Sequence, residues 1–205
     1  CKMVRFLTSF TFSLVAVVLP GNARVPGHTG AGKDFHEPAG TGIMVPVPAP
    51  SLALARLAPA ADAGVLSLAL EAMHCAQRHG TGVDATRLAV IDYSRSSLKP
   101  RLWIFDLSSQ QLLYQEVVAH GQGSGDDLPS RFSNSDGSHQ SSLGLFYTGT
   151  TYQGRNGYSL RMQGLEAGVN DAAMARAIVM HGADYVNPEN GRRMGRLGRS
   201  WGCPA

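Results

Sequence analysis

A succession of short apolar runs, each broken by turn residues, leaves this chain few folds to choose from. RLAVIDYS (87–94) and RLWIFDL (101–107) are rich in β-branched and aromatic residues, which suit a pleated, half-buried surface. LLYQEVVAHG (112–121) follows the polar turn SSQQ, so 101–121 reads as a hairpin. LGLFYTGT (143–150) and GYSLRMQG (157–164) are two further strands. AIVMHG (177–182) reads as a buried strand that breaks at glycine and delivers His181 to an edge. The 24 Gly and 11 Pro favour turns over long helices.

Helical spacing is confined to two places. Asp62 fits an N-cap and His79-Gly80 a stop; between them Val65, Leu68, Ala69, Ala72, Cys75 and Ala76 recur on one face. NDAAMARA (170–177) suits a short helix capped by Asn170 or Asp171. The fold class expected is mainly β with one or two short helices.

The amino end carries a different signal. Lys2 and Arg5 precede the apolar run Phe6 to Leu19, and Gly21-Asn22-Ala23 offers a small-residue cleavage site. Residues 1–23 read as a secretory signal peptide, with a run too short for a comfortable transmembrane span. An uncleaved anchor is the alternative. Residues 24–63, rich in Pro, Gly and Ala, read as an extended linker or an ordered strap. Residues 64–205 form the expected folded domain. The chain starts with Cys1, with Met3 the nearer start, and stops two residues after Cys203. Together these features read as a fragment or a mis-called reading frame, the abrupt end as a domain truncated at its carboxy-terminal end.

Charge excludes little. The chain is 43% hydrophobic and 16% charged, with a net charge of +3. Without residues 1–23 the remainder carries 16 Lys+Arg against 15 Asp+Glu. That balance gives no reason to expect a nucleic-acid partner.

The densest chemistry lies in MHGADYVNPENGRRMGRLGRSWGCPA, at the end of the chain. A nucleophilic cysteine needs an imidazole to take its proton, a group to orient that imidazole, and N–H donors for the oxyanion. Cys203 is the candidate nucleophile and His181 the candidate base. Gly202 lets the backbone come close, so its N–H and that of Cys203 could form the oxyanion hole. Pro204 stiffens the turn. Other readings stay open. His120, His181, Asp184 and Cys203 could make a zinc ligand set, although no paired-ligand motif anchors one. Cys75 reads as a small core residue, or as a disulfide partner of Cys203. His120 precedes the Gly-rich stretch GQGSGDD, read as a mobile loop, and is a possible substrate contact. His139 reads as solvated.

VMHG…GRSWGCPA resembles the active-site signature of the L,D-transpeptidase catalytic domain, the YkuD-like family of murein enzymes. His181-Gly182 and Ser200-Trp201-Gly202-Cys203 carry the resemblance. SSLGLFYTG (141–149) is similar to an upstream strand of that family, and the likeness runs from about residue 65 to the end. It implies a β-sandwich-like fold, no metal or organic cofactor, and secretion to the cell envelope, most naturally a periplasm. It implies a Cys203 thioester with peptidoglycan stem peptides as donor and acceptor. Loss of D-Ala and attack by a second stem's amine would give a 3→3 cross-link. Attack by water would make the enzyme an L,D-carboxypeptidase. A non-catalytic wall-binding module of the same fold is the third reading. The carbonyl of Gly182 would hold the imidazole and Ser200 would brace the loop. Trp201 stands where many members have His, and Ala205 where Arg or Asn is frequent. Arg199 and Arg196 are then the nearest groups able to grip a donor carboxylate.

Overall fold

The computed structural model of the chain describes residues 14–20 and 49–205. The expected cleavage site and most of the expected linker lie outside those residues. The elements in order are β1 (Leu14–Pro20), α1 (Ala49–Leu57), α2 (Ala63–Arg78), β2 (Ala85–Asp92), β3 (Leu102–Asp106), β4 (Gln111–Glu116), β5 (Gly144–Gly154), β6 (Gly157–Gly164), β7 (Val179–His181) and α3 (Pro188–Met194). The protein is mainly β with few, short helices. The strands hydrogen-bond in the order β4-β3-β2-β1-β5-β6-β7. Two antiparallel sets, β4-β3-β2-β1 and β5-β6-β7, are joined by the parallel β1·β5 pair.

The alternation of side chains explains why the central runs are almost wholly apolar. Leu88 and Val90 of β2 pack with Trp103 and Phe105 of β3 on one face, under Leu66, Ala69 and Met73 of α2. Ala89 and Ile91 point the other way, with Leu102 and Ile104, and meet Phe146, Met162, Ala173 and Ile178. A strand buried on both faces must be apolar at every position. Each fully buried Leu, Val, Ile, Phe or Met contributes about 1.5–3 kcal/mol relative to exposure.

Helix α2 starts where a local signal predicts. Asp62 Oδ1 accepts from the N–H groups of Gly64 at 2.7 Å and Val65 at 3.1 Å. The hairpin at 101–121 forms as β3 and β4, with Phe105 opposite Leu112. Helix α1 departs from the extended linker expected over 24–63. Pro50 lies at its first turn, where its missing N–H costs nothing, and Leu54 and Ala58 bury one face four residues apart.

The helix expected at 170–177 is instead a series of turns. Asn170 does not cap a helix. Its Nδ2 donates to the carbonyls of Leu143 and Leu145, both at 3.0 Å, and its Oδ1 accepts from the N–H of Glu166 at 2.9 Å. That side chain is spent tying the turns to β5. Ala177 then takes a left-handed φ of 53°, which a helix cannot contain. Helix α3 was not anticipated. Its signals are local, however: Asn187 as N-cap, Pro188 next, and left-handed Gly195 at the end.

Leu14–Pro20 lies within the expected leader and forms the strand between β2 and β5. Among the described residues, no helix is long and apolar enough to cross a membrane.

Candidate active site

Strand β7 is only three residues long. It pairs with β6, with Ser159 opposite His181 and Arg161 opposite Val179. Val179 and His181 share a face and both are buried. His181 Nδ1 lies 2.8 Å from the carbonyl oxygen of Gly182. A carbonyl can only accept, so Nδ1 carries a proton, and in the neutral imidazole Nε2 keeps the lone pair. That is the tautomer a general base needs.

The last residues run between β7 and the stretch 119–122. The N–H of His181 donates to Pro204 O at 3.3 Å. On the other side Ala119 N–H donates to Ala205 O at 2.7 Å and Ala205 N–H returns a bond to Ala119 O at 3.3 Å. Further back, Ser200 N–H donates to His120 O at 2.9 Å, and Gln122 N–H to Ser200 O at 2.8 Å. Cys203 is thus held from both sides, one residue from a bond to the backbone of His181.

The turn before the cysteine admits only glycine. Gly202 has φ of 120°, and a Cβ there would meet Gln140 O at 2.9 Å and Ile178 Cδ1 at 3.1 Å. Ser200 Oγ donates to Cys203 O at 2.6 Å and accepts from Gly202 N–H at 3.1 Å. Ser141 Oγ donates to Gly202 O at 3.1 Å and accepts from Gly121 N–H at 3.0 Å. These bonds correct one expectation. The Gly202 N–H is satisfied by Ser200 Oγ two residues earlier, so it reaches an oxyanion only if that hydroxyl turns away.

Cys203 is a free, half-buried thiol, so the alternative disulfide to Cys75 is not formed. Cys75 is buried on α2. Cys203 Sγ lies 3.9 Å from Ala177 O. Burial pushes the thiol up from its ordinary pKa, while the backbone of Val179 and the Arg176 guanidinium pull it down. Arg176, which no sequence motif marks, is the group that supplies the positive charge here. Its Nη1 donates to Ser133 O and Ser142 Oγ, both at 2.7 Å, and its Nη2 to Gln140 O at 2.8 Å and Ser138 Oγ at 3.1 Å. The guanidinium closes the loop 133–142 and sets a positive charge beside the thiol. No local signal announces this, because its acceptors lie 34 to 43 positions away.

The other arginines face elsewhere. Arg199 Nη1 donates to Gly125 O at 2.6 Å and to Asp126 Oδ1 at 3.1 Å. Arg196 Nε lies 3.5 Å from the same Asp126 oxygen. Both guanidinia clamp the Gly-rich stretch, with a carboxylate already in their grasp. That stretch is braced: Ser124 is buried, and Asp127 Oδ1 accepts from Ser97 Oγ at 2.7 Å.

His120 does not reach the surface, which removes it as a substrate contact in this arrangement. It is 1% exposed, and its Nδ1 accepts from Arg101 Nη2 at 2.8 Å. Arg101 is itself buried and donates twice to Val118 O, at 3.0 and 2.7 Å. Burial first, and then the Arg101 charge, hold His120 down at about 4. Among the described residues no three His, Cys, Asp or Glu side chains converge as a metal site, so the set His120, His181, Asp184 and Cys203 is not assembled. His139 is not simply solvated. Its ring stacks on Trp201, centroids 5.1 Å apart and planes within 7°.

The sequence model of the L,D-transpeptidase catalytic domain matches residues 57–205, from the end of α1 to the last residue. No curated protein and no solved structure matches the chain significantly. Members of that family act on peptidoglycan. With residues 57–205 matched and its strands and few helices arranged as described, the chain belongs to the L,D-transpeptidase catalytic domain family.

Proposed function

We propose that the chain is an exported cysteine L,D-transpeptidase that forms 3→3 cross-links between peptidoglycan stem peptides. One observation carries this reading: the N–H of His181 bonds to the carbonyl of Pro204, beside Cys203, while Gly182 fixes the imidazole as the Nδ1–H tautomer. Nucleophile and base are thus built on adjoining backbone.

The steps balance without an added reagent. His181 Nε2 takes the Cys203 thiol proton as Sγ attacks the amide carbonyl between the diamino acid and the terminal D-Ala of a tetrapeptide stem. The oxyanion collapses, His181 gives its proton to the leaving D-Ala amine, and a thioester remains. The amine of a second stem attacks the thioester, its proton passes to His181, and the thiolate leaves and is reprotonated. Gly202 shapes the turn, Ser200 and Ser141 hold it, and Arg176 stabilises the thiolate. Residues 1–23 would direct export and the site would work in the cell envelope.

The test is incubation with a disaccharide-tetrapeptide, read by intact mass and product analysis. A Cys203 adduct with release of D-Ala, abolished in Cys203→Ala and His181→Ala, supports the acyl-enzyme. Cross-linked dimers establish transfer, and tripeptide alone establishes an L,D-carboxypeptidase. Folded protein giving neither adduct nor product overturns the enzymatic reading and leaves the wall-binding module.

A further inference from the structure

Trp201 stands out among the exposed side chains. It is 73% exposed, two residues from Cys203, in a turn whose other members are pinned. A single exposed aromatic residue is ordinary. This one is underpinned. The His139 ring lies flat against one indole face, 5.1 Å between centroids and 7° between planes. Gln122 Nε2 donates to His139 Nδ1 at 3.0 Å, fixing the ring. His139 holds a left-handed φ of 53°, a conformation that costs a non-glycine residue free energy.

The backbone makes room for this support. A Cβ on Gly121 would meet His139 O at 2.3 Å, and one on Gly123 would lie 3.1 Å from the His139 carbonyl carbon. Gly123 N–H donates to His139 O at 2.9 Å. Two glycines, an amide and a strained backbone thus converge to place an imidazole under an indole. One indole face is covered and the other is left open to solvent.

We propose that Trp201, backed by His139, is a stacking platform for a sugar ring of the glycan that bears the donor stem. This rests on the peptidoglycan reading above. The open indole face suits the C–H face of a pyranose, and the exposed Gln122 beside it has hydrogen-bonding capacity left for hydroxyl or N-acetyl groups. The reach agrees. The Cα atoms of residues 201 and 203 are at most about 7 Å apart, and the indole extends beyond that. The scissile bond follows the third residue of the stem, so the sugar lies about 10 Å of extended chain away. A donor with its carbonyl at Cys203 can therefore lay its sugar on Trp201.

Two measurements test this independently. The first is titration of intrinsic fluorescence with a peptide-free disaccharide of N-acetylglucosamine and N-acetylmuramic acid. Trp103, the other tryptophan, is fully buried and serves as a constant background. A saturable response that is absent in Trp201→Ala, and about tenfold weaker in affinity in His139→Ala, is expected, because an indole without its imidazole support must be immobilised on binding. No response in the wild type overturns the platform. The second is kcat/KM for D-Ala release from the disaccharide-tetrapeptide and from the sugar-free tetrapeptide. Trp201→Ala should lower the first about tenfold more than the second, through KM, with Trp201→Tyr restoring most of the difference. Equal losses on the two donors would show that Trp201 serves the peptide or the loop, and would end the proposal. If the wild type binds the disaccharide but turns over neither donor, the platform stands and the enzymatic reading fails.

Discussion

His181 Nδ1 is hydrogen-bonded at 2.8 Å to the carbonyl of Gly182, the next residue in the chain. A backbone carbonyl here does the orienting that a carboxylate does in a Ser-His-Asp triad. It adds no negative charge, so a thiolate–imidazolium pair formed as proposed would draw its stabilisation from elsewhere. Because the orienting group is main chain, no side-chain substitution removes it. His181→Asn should therefore abolish proton transfer while leaving the turn intact. We expect a fall of about 10²–10⁴ in D-Ala release. Single-turnover kinetics with far-UV circular dichroism as a folding check will measure it.

Arg176 supplies the nearby positive charge. Burial raises the Cys203 thiol, and Arg176 is among the groups that lower it. Arg176→Gln should move the alkylation-rate profile of Cys203 to higher pH, so the rate at pH 7 falls. Arg176→Lys keeps the charge but not the fourfold hydrogen bonding, and should lie between. Iodoacetamide kinetics from pH 5 to 10 decide this; an unshifted profile in Arg176→Gln would refute an electrostatic role.

Gly202→Ala should fail twice. The residue sits at φ of 120°, and the added Cβ would press on Gln140 O at 2.9 Å. Left-handed strain alone costs about 1–3 kcal/mol. We expect a lower urea midpoint with unchanged slope, together with loss of Cys203 acylation. A stable, active variant would mean that the turn relaxes freely.

His120 makes stability depend on pH. Its pKa falls from 6.5 to about 4 in the folded protein. Between those values the unfolded chain binds more protons, so stability rises with pH. The contribution is fully present above about pH 6.5 and is lost as pH falls toward 4, to the extent of roughly 3 kcal/mol at most. The half-buried carboxylate of Asp127, which accepts from Ser97, is also held low, so its loss belongs to a more acid range. Urea unfolding at pH 7, 5.5 and 4 should show the slope in the wild type and a reduced one in His120→Gln.

Strand β1 carries the parallel join to β5 and the antiparallel join to β2. A chain begun at Arg24 would leave backbone donors and acceptors of both neighbours unpaired. We expect a lower thermal midpoint and a tendency to associate, seen by scanning calorimetry and light scattering. Amino-terminal sequencing of exported protein will show whether Leu14–Pro20 persists in the mature form.

Much of this molecule was legible from local pattern. The strands at 85–92, 102–106 and 157–164 follow from β-branched and aromatic runs, and α2 from a four-residue repeat behind Asp62. Such signals act between near neighbours, where period and caps decide the outcome. Cys203 and His181 could be picked out because few residue types perform nucleophilic and base chemistry. The remainder depends on partners far apart in the chain. Asn170 could have capped a helix, but meets Leu143 and Leu145 across 27 and 25 positions. Arg196 and Arg199 read as free cations until Asp126, 70 and 73 positions earlier, folds against them. His139 was a polar loop residue until glycines at 121 and 123 let its backbone in and brought its ring to Trp201. Composition and spacing thus determined most of the elements and singled out the candidate pair. Only the tertiary structure decided which groups surround that pair, because a hydrogen bond or a stacked face exists only after the intervening loop has closed.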